Sequence, residues 1–341
     1  AAINTDGSLA SWNPTASHAV SALAISGNTM YVGGNFLQAG GQPRNRLAAI
    51  NTDGTLSSWN PNASGTVLAL AISDSTIYAG GEFTQVGGLA RNRLVAINTD
   101  GTLNGWNPDA NSRVSTLAIS GNTVYAGGRF TEVGGQTRNY LAAIKTDGTL
   151  SSWNPHASSI VNALEISGST VYVGGNFTHI GDQQRYMLAA INTDGTLTSW
   201  NPHATGAVNA LTIRDSTVYV GGNFRQIGDQ ERNRLAAINT NGTPSSWNPN
   251  LNGSVLALTI SNGTVYASGN FTQVGGQPHI YLAAINTHGA LVNQNLDANT
   301  VVFALATIGS TVYAGGAFTK VGSEVRYGYT SLDASTGAVL P

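Results

Sequence analysis

From Val67 to Ser73 the chain reads Val-Leu-Ala-Leu-Ala-Ile-Ser, small and large apolar residues in alternation. A period of two predicts a strand. Asp74-Ser75 follows as a tight turn. Thr76-Ile-Tyr-Ala-Gly-Gly-Glu-Phe83 is a second strand, rich in β-formers but interrupted by two glycines. After a loop from Thr84 to Arg93, Leu94-Val-Ala-Ile-Asn98 predicts a third strand. Thr99-Asp100-Gly101 is a hairpin turn, because Gly supplies positive φ and Asp bonds the backbone. Thr102-Leu-Asn-Gly-Trp106 is the fourth strand, and Asn107-Pro108 ends it, since Pro cannot extend a ladder. No segment carries a helical period.

This unit recurs. Trp12, Trp59, Trp106, Trp153, Trp200 and Trp247 are each 47 residues apart, and the next slot holds Gln294. The paired glycines take the same step: Gly33-Gly34, Gly80-Gly81, Gly127-Gly128, Gly174-Gly175, Gly221-Gly222, then Ser268-Gly269 and Gly315-Gly316. Four strands per unit of this length, seven times over, predict an all-β, seven-bladed β-propeller with four antiparallel strands per blade. A parallel β-helix needs much shorter coils. A lone blade leaves two apolar faces bare, and seven arranged radially bury each face on a neighbour. Trp in the outer strand fills the wedge that widens with radius. No linker divides the chain, so residues 1–341 form one domain. Seven units leave twelve of the 341 residues over. The third and fourth strands therefore occur eight times. The N-terminal strand, about 7–12, is expected to complete the last blade, about 300–341, and close the ring. One terminal hairpin half is then surplus, either an edge cover or a strand to add to a second molecule.

Composition narrows the function. There are 42 glycines, 9% charged residues, a net charge of −2 and no cysteine. A duplex-binding protein needs a basic field, which is missing. No apolar run is long enough to insert in a membrane as a helix. Without cysteine there is no thiol chemistry. No motif for a serine nucleophile, a zinc peptidase or a phosphate loop occurs, so no catalytic residue, metal ligand or cofactor site is assigned.

Tyr78-Ala-Gly-Gly-Glu-Phe83, with a Trp shortly after each Thr-Asp-Gly turn, resembles kelch-type propeller blades. The fuller unit, Leu188-Ala-Ala-Ile-Asn-Thr-Asp-Gly-Thr-Leu197 with Trp200-Asn-Pro202, is similar to the delta-type tandem-repeat propellers of unknown function, which are common in secreted bacterial proteins. Tyr172-Val-Gly-Gly-Asn-Phe177 also resembles repeats of fungal cortical marker proteins. The resemblance covers essentially the whole chain. It implies the propeller fold and favours secretion, and it says almost nothing about activity.

Arginine recurs at the end of the long loop between second and third strands: Arg44, Arg91, Arg138, Arg185, Arg232 and Arg326, with His279 in the remaining slot. Those loops share one face with the connections between blades. Two readings stand. The guanidinium groups form a ring for an acidic partner or anionic glycan, since Arg pairs with carboxylates, or each one bonds loop carbonyls. His156 and His203 occupy a slot held elsewhere by Thr, Asn or Asp, and Tyr186 replaces Asn. They are either a platform for a sugar ring or loop drift. Glu165 is the lone charge in a first-strand slot that otherwise holds Ala or Thr. The turn aspartates, Asp53 and Asp100 among them, are read as turn chemistry.

The reading that results is a non-enzymatic binding or scaffold propeller, extracellular or at the cell surface. Its partner is a protein or a second copy of itself, in an oligomer or fibre, with a glycan as the alternative ligand. A glycan-active hydrolase or lyase at the channel mouth is the rival class.

Overall fold

The computed structural model describes residues 15–292, 296–334 and 338–340. Among them are seven three-stranded antiparallel sheets, one per repeat. The inner strands are Val20–Ser26, Val67–Ser73, Val114–Ser120, Val161–Ser167, Val208–Arg214, Val255–Ser261 and Val302–Ile308, and they number the blades one to seven. Each pairs with a middle strand, such as Thr76–Gly81, and the middle strand pairs with a third, such as Leu94–Asn98.

The fourth strand is shorter than its pattern implies. It joins the third through single bridges, Ile97↔Leu103 in blade two and Leu332↔Val339 in blade seven. Pro108, one turn on, removes a donor from any longer ladder. Between middle and third strands every blade extends an arm, a two-residue hairpin, Gln85–Val86 against Leu89–Ala90 in blade two.

The repeat shows its physical logic at each joint between blades. A Cβ placed on Gly80 would lie 2.7 Å from Cγ1 of Val114 in the next blade. One placed on Gly81 would overlap the Thr66 carbonyl. The first glycine thus lets blades approach, and the second lets the inner strand bulge between Val67 and Ala69. Blade six carries Ser268 in place of the first glycine, and its buried hydroxyl has no hydrogen-bond partner among the described residues. Farther out, tryptophan acts as a staple. Trp59 stacks edge-on to Tyr31 at 5.1 Å within its blade, and its Nε1 donates to the Asn98 carbonyl of the next blade at 3.0 Å. Trp106, Trp153, Trp200 and Trp247 repeat the bond to Lys145, Asn192, Asn239 and Asn286. At the joint of blades six and seven, the Tyr266 hydroxyl donates to the Ala334 carbonyl at 2.9 Å. Burial pushes the pKa of that phenol up to about 12.

Each joint holds its own apolar cluster, seven in all, and each draws side chains from two neighbouring blades. The seventh joins Tyr313 and Tyr329 of blade seven to Val20, Met30 and Phe36 of blade one. There the Ala16 amide donates to the Tyr327 carbonyl, as Ala63 does to Asn45 at the next joint. The ring therefore closes on the same contacts it uses elsewhere. Blade seven takes its fourth segment from Val339–Leu340. The N-terminal strand expected at 7–12 lies outside the described residues.

Candidate functional site

The inner strands surround a central channel that narrows to a cavity of about 200 Å³. Its wall repeats the Leu23, Leu70, Leu117, Leu164, Leu211, Leu258 and Leu305 positions. One end opens among the turns, and the other opens among the arms and the connections between blades, here called the loop face. The turn end is self-contained. Asp100 Oδ1 accepts from the Thr102 amide at 2.9 Å and the Thr102 hydroxyl at 2.6 Å, and those bonds hold its carboxyl below the usual range. Asp53, Asp147 and Asp194 do the same. Among the described residues no three His, Asp or Glu side chains converge as metal ligands.

The recurrent arginines of the loop face turn inward. Arg138 Nη1 donates to the Thr137 carbonyl at 2.8 Å, and Nη2 donates to Ser151 at 2.9 Å. Arg44 reaches Ser57, Arg91 reaches Asn104, Arg185 reaches Thr198, Arg232 reaches Ser245 and Arg326 reaches Leu340 in the same way. The acceptors all lie in the abbreviated fourth segment, whose carbonyls lack a full ladder. Each guanidinium supplies the donors that the missing strand would have given. Arg138, Arg185, Arg232 and Arg326 are buried, and burial lowers the pKa of Arg138 and Arg185. His279, also buried, takes the blade-six slot with Nδ1 3.8 Å from Asp297 Oδ1. These groups sit at the outer rim of the blades rather than around the channel mouth.

His156 and His203 have φ of 51° and 55°, as Asn62, Asp109 and Asn250 have 58°, 55° and 53° at the same slot. Left-handed backbone favours Asn, Asp and His, so the conformation explains the choice. His203 then stacks on Tyr186, with ring centroids 4.4 Å apart. The Gln184 side-chain amide donates to the Tyr186 hydroxyl. Each of the two rings thus has one face covered by the other. Glu165 lies two residues beyond Ala163, on the strand face that packs against Leu211 of blade five. It is half-buried, and burial raises its pKa to about 7.

A cavity of about 870 Å³ was not among the expected positions. It lies on the loop face between blades five and six, along Arg225, Gln226, Glu231, Asn233, Asn250 and Gln273. Comparison of the units held the signal. The slot of Arg225 is Thr84, Thr131, Thr178, Thr272 and Thr319 in five units and Leu37 in the sixth. Its neighbourhood also differs from the rest of the face in polarity. Leu37, Leu89, Ile280, Phe303, Val325 and Tyr327 are exposed by 37–53%, and all belong to blades six, seven, one and two.

Comparison with known proteins agrees with this architecture. A family described as a domain of unknown function (DUF5122) β-propeller matches residues 28–56, 72–104, 122–150, 170–197 and 214–244. No curated protein matches in sequence. Among solved structures, the WD40 β-propeller domain of Doa1 superposes with a TM-score of 0.64 at 11% identity, over 90% of this chain and 92% of that one. A chain of the mitotic checkpoint complex gives 0.63 at 15% identity, over 92% and 95%. The extracellular domain of the putative one-component system BT4673 from B. thetaiotaomicron gives 0.60 at 15%, over 94% of this chain and 39% of that one. At such identities these matches speak for the fold. Seven sheets, a strict repeat and the propeller family match place the chain among the repeat-built β-propellers.

Proposed function

We propose that the protein is a non-enzymatic binding scaffold that works outside the cell or on its surface and holds a protein partner on its loop face. The observation that carries this reading is the apolar sector of blades six, seven, one and two. Leu89 stands where other units have Gln or Glu, and Ile280 and Tyr327 stand where four have Asn. Architecture does not require them, because the polar residues of the sister units fill the same backbone. Exposed apolar side chains that recur over successive blades of one face mark a contact site. Phe303 adds an exposed aromatic ring where the inner strand of blade seven lines the channel. A lysine-poor surface, the resemblance to secreted propellers and the extracellular neighbour support the location.

The test uses the residues of the sister units. A variant carrying Leu37→Thr, Leu89→Gln, Ile280→Asn and Tyr327→Asn keeps the fold. Affinity capture from surface extracts with wild type should retain a defined protein set that the variant loses. Light scattering over a concentration series shows whether that partner is a second copy. Identical capture by the two proteins would refute the assignment of this sector.

A further inference from the structure

We propose that the loop-face cleft between blades five and six is a binding site for an acidic oligosaccharide, a uronate-bearing chain whose carboxylate is taken by Arg225. Arg225 is exposed at the cleft, and its guanidinium has no hydrogen-bond or ion-pair partner among the described residues. Its base is fixed nonetheless. The backbone amides of Arg225 and Gln226 both donate to Thr205 Oγ1, at 3.2 and 3.1 Å. An anchored, unpaired guanidinium presents five donors in a planar fork suited to a carboxylate.

The remaining wall suits hydroxyls. Asn233 Nδ2 donates to Glu231 Oε1 and to Asn250 Oδ1, both at 2.9 Å, and this fixes a row of polar groups along the floor. Gln226 and Gln273 project carboxamides that have no partner among the described residues. Each carboxamide both donates and accepts, as a sugar hydroxyl does. Peptides are a poor match, because their affinity rests on buried aromatic or aliphatic anchors. Leu251, the apolar side chain on this wall, is itself buried. Charge agrees as well. Arg225 and Arg234 outweigh Glu231 by one, and Arg234 is tied to the Leu251 carbonyl at 3.2 Å. One positive group is left free, and it is Arg225. The cavity of about 870 Å³ falls within the size range of ligand pockets. No other unit combines these features: the joint of blades one and two also has two glutamines, Gln38 and Gln85, but it has Leu37 and Pro43 in place of Arg225 and Glu231.

The site is independent of the apolar sector, so it stands or falls separately. Titration calorimetry of the full chain with tetragalacturonate, its methyl ester and a glutamate pentapeptide tests it. The uronate should bind wild type, and Arg225→Thr should weaken it by about tenfold, as expected for loss of a charged hydrogen-bonded pair. The methyl ester should not distinguish the two proteins. Gln226→Ala with Gln273→Ala should weaken both sugars. Threonine at 225 is the residue of five sister units, so an unchanged melting temperature confirms that the fold is kept. Absence of uronate binding at millimolar concentration would overturn the proposal. So would equal affinity in Arg225→Thr, or a pentapeptide that binds as tightly as the sugar.

Discussion

Replacing Glu165 with Ala should stabilise the protein, and the gain should depend on pH. Four sister units already carry alanine in this slot, Ala24, Ala71, Ala118 and Ala306, so the joint accepts the smaller side chain. Burial raises the carboxyl pKa from 4.5 to about 7. Below pH 4.5 the group is neutral in both folded and unfolded chains and carries no penalty. Between those values the unfolded chain releases its proton while the folded one holds it, so stability falls as pH rises. Above pH 7 both states are ionised and the loss is complete. Full burial would make it about 3 kcal/mol. Glu165 is only half-buried, and water reaching it reduces the figure to about 2 kcal/mol. A chain of this length shifts its melting temperature by roughly 1–2 °C per kcal/mol. Scanning calorimetry of wild type and Glu165→Ala from pH 4 to 8.5 should show the variant about 3 °C higher at pH 8. The gap should close towards pH 4. A difference that does not change with pH would refute the account of Glu165 as a carboxyl buried without a partner.

Other changes test the joints. Trp153→Phe keeps an aromatic ring but trims a buried indole and leaves the Asn192 carbonyl without its 3.0 Å bond, and it should cost about 2–4 kcal/mol by thermal or urea unfolding. Tyr266→Phe, which removes the bond to Ala334, should cost about 1–2 kcal/mol by the same measurement. Gly80→Ala forces a Cβ to within 2.7 Å of Val114 and should cost about 1–3 kcal/mol, whereas Gly105→Ala, with no atom within 4 Å, should be neutral or slightly stabilising. Arg185→Met strands the Thr198 and Gln184 carbonyls and should cost about 2 kcal/mol, against less than about 0.5 kcal/mol for Arg225→Thr.

The fold was legible because its determinants are local or periodic. A Trp every 47 residues, a glycine pair in step with it and Thr-Asp-Gly turns define equivalent units, and equivalence with a return to the start implies a ring. The abbreviated fourth strand was not legible. Thr102–Trp106 alternates like a strand, and only the pairing geometry shows a single bridge at Leu103. For the same reason the arginines were ambiguous. Periodicity shows that Arg138 recurs, but its acceptor at Ser151 lies thirteen residues away, across the third strand and its hairpin turn, where no spacing rule reaches.

His156 and Arg225 both break the repeat, yet only Arg225 leaves a charged group without a partner among the described residues. At His156 the backbone is left-handed, as it is at Asn62, Asp109, His203 and Asn250 in the same slot, so the change of side chain leaves the physical requirement unchanged. At Arg225 the amide donates to the hydroxyl of Thr205, but the arginine side chain forgoes the second bond that the threonine hydroxyl makes to the matching residue in five sister units. A long guanidinium adds conformational entropy cost and surface charge without adding a contact to the fold. A residue that the frame neither needs nor uses must be accounted for by something outside the frame. Leu89 and Tyr327 meet the same criterion with the opposite polarity, since exposed apolar area in place of Gln or Asn weakens solubility and contributes nothing to the joints. Two departures of opposite chemistry on one face thus carry the two proposals, a carboxylate-bearing sugar beside blade five and an apolar protein contact around blade seven, and each is tested by its own variants.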